Sequence, residues 1–180
     1  PAIDSLRAAI QPLPQNRERA DGLNRLAQTI LRSNLQETDS LSSEALELSL
    51  ELRYDKGLMD AQWLRGKVTI YRGQFDRAYG WFRQSQKTAE KLKQFGKAAR
   101  ALDEAGYCLM IQEQYEAAQA AFDSARTWAE ATGDSVLMVR ISLNQSSIEL
   151  YTGHFDESLE TTLFAYDLAK RIGSTHYQIN

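Results

Sequence analysis

Few side chains in this sequence are of the types that carry out catalysis or bind metals. The histidines are His154 and His176, and the one cysteine is Cys108. A thiol and two imidazoles at no recognisable ligand spacing do not build a metal site. The sequence also lacks a glycine-rich phosphate loop and a Gly-x-Ser-x-Gly nucleophile turn. We therefore expect no catalytic residue, no metal and no cofactor. The chain is then not an enzyme, and any catalysis belongs to a domain outside it.

Two arginines offer binding chemistry instead. Arg100 and Arg140 stand forty residues apart, so in a chain built from forty-residue units their guanidiniums could face the same acidic ligand. The alternative is that each arginine pairs with neighbouring acids on a solvated face. The choice depends on the elements that position these side chains.

The composition is that of an ordinary globular protein of 180 residues, 43% hydrophobic and 25% charged. The net charge is −3 and no dense Lys/Arg run occurs, so we expect no nucleic-acid partner. No apolar stretch reaches the roughly 18 residues that span a bilayer, so we expect no direct membrane contact in this segment. A single cysteine fits a reducing compartment. We expect a cytoplasmic location, or a periplasmic sensor domain if a leader or anchor was removed ahead of Pro1.

The sequence repeats with a period of forty residues. Large apolar residues recur in one column: Leu35, Phe75, Tyr115 and Phe155. Small residues recur in another: Thr38, Ala78, Ala118 and Ser158. A fixed period of roughly 20–50 residues is typical of stacked supersecondary units. Cys108 shares a column with Val68 and Ile148, which predicts a small buried side chain, whereas His154 falls in a column of turn residues and is expected to be exposed.

Each period reads as a helix–turn–helix, because apolar residues are spaced three and four apart and no proline follows Pro14. We predict an all-α chain with one domain over residues 1–180 and a short helix near residues 2–10. The repeats are expected at about 17–54, 56–94, 96–132 and 135–172. Their first helices are placed at about 17–33, 56–72, 96–112 and 135–152, and their second helices at about 38–54, 75–94, 115–132 and 155–172. Residues 174–180 are expected to begin a further first helix.

Several of these residues resemble the tetratricopeptide repeat motif. The second repeat carries Gly66, Gly73-Gln74-Phe75-Asp76, Ala78 and Phe82, and the third carries Gly106, Tyr115-Glu116, Ala118, Phe122 and Ala125. The resemblance implies a right-handed α-α superhelix, or solenoid, of about four repeats. The forty-residue period is similar to arrays in bacterial signalling proteins such as histidine kinases, nucleotide cyclases and transcription regulators. The implied function is a non-catalytic protein- or peptide-binding module forming their N-terminal sensory part. The alternative is a structural self-association domain, a homodimer without a separate ligand.

The resemblance also implies a ligand groove lined by first helices. The residues expected to face it are Trp63, Lys67, Arg100, Asp103, Tyr107, Arg140, Asn144, Ser147 and Tyr151. Trp63 and Tyr107 could act as rigid anchors, and Asn144, like Asn24 in the first repeat, could hold a peptide backbone. Two alternatives stay open: Trp63 and Tyr151 could be ordinary core residues, and the assignment could be one position off.

Overall fold

The computed structural model describes residues 2–173. Over that range the chain forms nine α-helices and no strand, and the predicted all-α fold is confirmed. The helices are α1 Ala2–Ile10, α2 Arg17–Ile30, α3 Leu35–Glu51, α4 Asp55–Tyr71, α5 Phe75–Lys91, α6 Phe95–Ile111, α7 Tyr115–Thr132, α8 Ser135–Tyr151 and α9 Phe155–Arg171. The further helix expected over 174–180 lies outside the described residues.

The helix boundaries differ from the approximate predicted ones by up to three residues, most clearly around α2 and α3. α2 ends at Ile30 and α3 begins at Leu35, where the sequence predicted 33 and 38. Asn34 explains the early start, because its side-chain oxygen accepts the N–H of Glu37 at 3.1 Å and caps the helix.

The chain divides into two compact units, Pro1–Lys93 and Gln94–Asn180, called unit 1 and unit 2. The organisation as a single domain stays a prediction, and we describe each unit by itself.

The helix ends recur every twenty residues, which is half the sequence period. Each helix from α3 to α9 has 17 residues, except α7 with 18. One or two residues after the end of each of these helices, a residue adopts a positive φ: Arg53, Gly73, Lys93, Glu113, Gly133, Gly153 and Gly173. At Gly73, for example, the N–H groups of Gly73 and Gln74 donate to the carbonyls of Ile70 and Thr69 at 2.8 and 3.1 Å. This is the Schellman helix end.

Within unit 1 the helices pack through a mixture of aliphatic side chains and close contacts at small residues. Leu23, Leu26 and Ile30 of α2 form the core with Leu48 of α3. Farther along, the ring of Phe82 on α5 lies against Gly66 on α4, so close that a Cβ at residue 66 would stand 2.6 Å from it. Glycine is therefore required there because an aromatic ring fills the space.

Unit 2 has the same glycine–phenylalanine contact in its first hairpin, and a hydrogen bond takes its place in the last hairpin. A Cβ at Gly106 would stand 2.7 Å from the ring of Phe122. In the last hairpin the corresponding residues are Ser146 and Thr162, and their hydroxyl groups are hydrogen-bonded at 2.6 Å. Cys108 is buried, as predicted. His154 is exposed at its turn, also as predicted.

Candidate binding face on α6 and α8

The first helices of unit 2 bring most of the predicted groove residues together. Arg100, Asp103 and Tyr107 lie three and four residues apart on α6, and this spacing puts them on one helix face. Arg140, Asn144, Ser147 and Tyr151 follow the same rule on α8. We call these seven residues, together with Glu104, the first-helix face of unit 2.

Asp103 is the centre of this face. Its side chain is only 1% exposed, and its Oδ2 pairs with Nη2 of Arg140 at 2.5 Å. The side-chain amide of Asn144 donates to Oδ1 of Asp103 at 3.1 Å. Arg140 also donates to the buried carboxylate of Glu104 at 3.2 Å. One guanidinium thus joins two buried carboxylates from neighbouring positions of α6.

Burial makes Asp103 hard to ionise. Because the carboxylate loses its water, its pKa rises to about 6, although the charge of Arg140 works in the opposite direction. The negative charge of Glu104 adds to the increase. The face therefore contains a carboxyl group that gains a proton only slightly below neutral pH.

Arg100 makes its own ion pair within unit 2. Its Nε and Nη2 both donate to Oδ2 of Asp134, at 3.0 and 2.6 Å. Asp134 also caps α8, since its Oδ1 accepts the N–H of Leu137 at 3.1 Å. Partial burial raises the pKa of Asp134, but these hydrogen bonds together lower it by more than burial raises it. The pKa of Asp134 therefore lies below its usual value. An acidic ligand would have to compete with carboxylates of the chain for both Arg100 and Arg140.

The remaining residues of the face are used in different ways. The hydroxyl of Ser147 donates to the carbonyl of Leu143 in its own helix at 2.9 Å. Tyr151 is 66% exposed, so it is not a core residue, and its ring stacks on that of Tyr115 with centroids 6.2 Å apart. Tyr107 is partly buried. Tyr107 and Tyr151 are thus the aromatic groups that a ligand could touch on this face.

Trp63 and Lys67 belong to unit 1, on α4. The ring of Trp63 is partly buried, and Nζ of Lys67 lies 5.6 Å from its centroid in a cation–π contact. Asn24, which the resemblance assigned to a ligand backbone, instead donates its amide to the carbonyl of Gly57 at 2.9 Å. That amide therefore holds α2 against the first turn of α4.

Two residues of the arrangement were missed in the sequence. They are Glu104 and Asp134, neither of which is among the residues expected to face the groove. Their separations from their partners, 36 residues to Arg140 and 34 to Arg100, are close to one period. Opposite charges separated by nearly one period were the signal that could have revealed them.

Among residues 2–173, no group of three or more His, Cys, Asp or Glu side chains could hold a metal ion. No helix in the same range combines the length and apolarity needed to cross a membrane.

Similar solved structures identify the type of helical array. Neither a protein-family model nor a curated protein matches this chain. A protein of Podosopora anserina with nearly identical TPR-like repeats superposes with a TM-score of 0.73, at 13% identity over 97% of this chain and 88% of its own. The chain has the fold of tetratricopeptide-type helical repeats. The predicted solenoid fold class is therefore confirmed.

Two longer proteins are also among the similar structures. A Rap protein complexed with competence and sporulation factor has a TM-score of 0.87 and 16% identity, covering 98% of this chain and 50% of its own. Aspartyl phosphate phosphatase F from Bacillus subtilis has a TM-score of 0.81 and 20% identity, covering 89% and 42%. This chain thus spans half or less of the length of either protein, and the likeness shows the fold.

Proposed function

We propose that this chain is a non-catalytic module that binds a protein or peptide on the first-helix face of unit 2. The observation that carries the proposal is the ionic cluster in which Arg140, itself 36% exposed, pairs with the buried carboxylates of Asp103 and Glu104. Buried ion pairs seldom stabilise a fold better than apolar residues of the same volume. An ionic cluster with buried carboxylates at the centre of an otherwise accessible helix face is therefore better explained by recognition than by stability.

The cluster prepares Asn144 for a ligand. Because the amide nitrogen of Asn144 donates to Asp103, the orientation of the whole side-chain amide is fixed. Its oxygen is then positioned to accept a main-chain N–H, as an extended peptide would offer. Tyr107, one turn beyond Asp103 on α6, supplies an aromatic surface for a peptide side chain.

The proposal extends to a sensory or regulatory role in a bacterial signalling protein, such as a histidine kinase, nucleotide cyclase or transcription regulator acting in the cytoplasm. Ligand binding to the face would change how adjacent elements pack. The support is the fold shared with a Rap protein that was solved with competence and sporulation factor, and with an aspartyl phosphate phosphatase.

A displayed library of random twelve-residue peptides, selected on the purified chain, tests the proposal. Selected peptides are then titrated by calorimetry into Tyr107→Ala and Asn144→Ala variants, with Glu130→Ala on an exposed part of α7 as the control. We expect each face variant to bind about tenfold or more weakly, as for a residue that contributes more than 1 kcal/mol, and the control to bind normally. Equal affinity for all four chains would refute the assignment of the face.

Arg100→Gln decides whether the ligand is acidic. Arg100 is exposed and its loss leaves the buried cluster intact. If the ligand is acidic, selected peptides are enriched in Asp and Glu and lose affinity for this variant. Unchanged affinity would remove the acidic-ligand version while leaving peptide binding in place.

A further inference from the structure

The last helix, α9, carries an exposed stripe that the binding face does not use. Its residues follow one another at spacings of three and four, and this places them along a single face. We call them the α9 stripe: Asp156, Leu159, Leu163, Tyr166 and Lys170, all exposed except Tyr166, which is half-buried. Leu159 and Leu163 are 59% and 53% exposed. The opposite face of α9 packs inward through Ala165 and Ala169.

The corresponding face of α7 is polar and only partly buried, since Gln119 is half-buried and Asp123 is exposed. Forty residues before Leu159 and Leu163 stand Gln119 and Asp123. That face of α7 packs on α8, where Oδ1 of Asp123 accepts the side-chain amide of Gln145 at 2.8 Å. On α9 leucines take the places of these polar residues, and both leucine side chains are more than half exposed. The α9 stripe therefore has the composition of an interface.

The distribution of charge along α9 indicates which partner surface would be complementary to the α9 stripe. The half of the helix before Leu163 is acidic, with Asp156, Glu157 and Glu160, and its end is basic, with Lys170 and Arg171. Asp167 is the one acid of the second half. An antiparallel copy of the same helix would bring each acidic half against a basic end, whereas a parallel copy would place like charges together. Leu163 is the middle residue of Phe155–Arg171, so the two-fold axis would pass beside it.

We propose that the α9 stripe is the docking surface for a second copy of this chain, in a symmetric antiparallel dimer. The two copies use the same patch, so the contact closes after two subunits. A helix of 17 residues is about 25 Å long, and one such face is small beside the roughly 1,200–2,000 Å² of a standard interface. The dimer is therefore weak and depends on concentration. It is independent of ligand binding on α6 and α8.

Sedimentation equilibrium from about 10 μM to 1 mM, a range that brackets micromolar dissociation constants, tests for the dimer. We expect the average mass to rise from monomer toward dimer, and Leu163→Asp to hold the chain at the monomer mass. Val136→Asp is the matched control, because Val136 is also apolar and 47% exposed but lies on α8. Circular dichroism confirms that both variants stay folded.

A charge exchange tests the antiparallel arrangement. Asp156→Lys gives a stripe with two lysines, and Lys170→Asp gives one with two aspartates, so each variant alone pairs like charges. An equimolar mixture pairs lysines with aspartates on both sides of the axis. We expect each variant to dimerise more weakly than the original chain and the mixture to form heterodimers. A mixture no more associated than its components would overturn the arrangement. An original chain that stays monomeric throughout would overturn the dimer and leave α9 to a further hairpin of a longer chain.

Discussion

Replacing Asp103 by Asn should change the pH dependence of stability in a direction opposite to that of most carboxylates. The carboxyl group of Asp103 is 1% exposed, and burial raises its pKa from 3.8 to about 6. The folded chain consequently keeps a proton at pH values where the unfolded chain has released it. This contribution to stability is fully present below pH 3.8 and is lost as the pH rises through about 6.

The size of the effect follows from the two pKa values. They differ by about 2 units, and each unit corresponds to about 1.36 kcal/mol. The contribution of Asp103 should therefore fall by about 3 kcal/mol in total, of which about 2 kcal/mol is lost between pH 4 and pH 7. Asn has the shape of the protonated carboxyl group and does not ionise. The Asp103→Asn chain should match the original near pH 4 and be the more stable one at pH 7.

Urea denaturation followed by circular dichroism at several pH values measures this difference directly. At each pH the free energy of unfolding of the variant is subtracted from that of the original chain. This difference removes the contribution of every other titrating group. Asp134→Asn is the control, because the pKa of Asp134 is lowered and its contribution should be lost as the pH falls. A variant that loses stability relative to the original chain as the pH rises would refute the account of Asp103 as a buried carboxyl group with a raised pKa.

Two further predictions concern packing and helix ends, and both are measured by thermal and urea unfolding. Gly106→Ala should lower the free energy of unfolding by about 1–3 kcal/mol, because its Cβ would stand 2.7 Å from the ring of Phe122. Gly80→Ala, where a Cβ would meet nothing within 4 Å, should raise it by about 0.5–1 kcal/mol. Equal effects at the two glycines would contradict the packing argument. Glu113→Gly should stabilise by about 1 kcal/mol, because Glu113 adopts φ +60°. Glu113→Ala should not, and equal stabilisation by both would exclude backbone strain as the cause.

The repeat register could be predicted from the sequence because it depends on local patterns. A small residue at the Ala78 and Ala118 column and an aromatic residue at the Phe75 and Tyr115 column fix where helices cross and turn. These preferences act within one hairpin, so a single sequence displays them. The regular twenty-residue spacing of helix ends was harder to see, because residues such as Lys93 adopt the left-handed conformation that usually indicates glycine.

The ionic partners on the binding face could not be predicted in the same way. Arg100 and Arg140 were recognised as a pair related by the period, and a shared ligand was one interpretation. Which carboxylates lie within hydrogen-bonding distance depends on how α6 packs against α8 and on the cap of α8. Asp134, for instance, caps α8 with one carboxylate oxygen, and the other oxygen accepts hydrogen bonds from Arg100. Such contacts follow from tertiary geometry, which periodicity does not specify.

The central claim is that a ligand binds the first-helix face of unit 2, and amide chemical-shift mapping tests it most directly. A ¹⁵N-labelled chain is titrated with a peptide selected from the displayed library. We expect the largest shifts on α6 and α8, at and around Asp103, Tyr107 and Asn144. The largest shifts falling on α7 or α9, with the first-helix face unchanged, would contradict it.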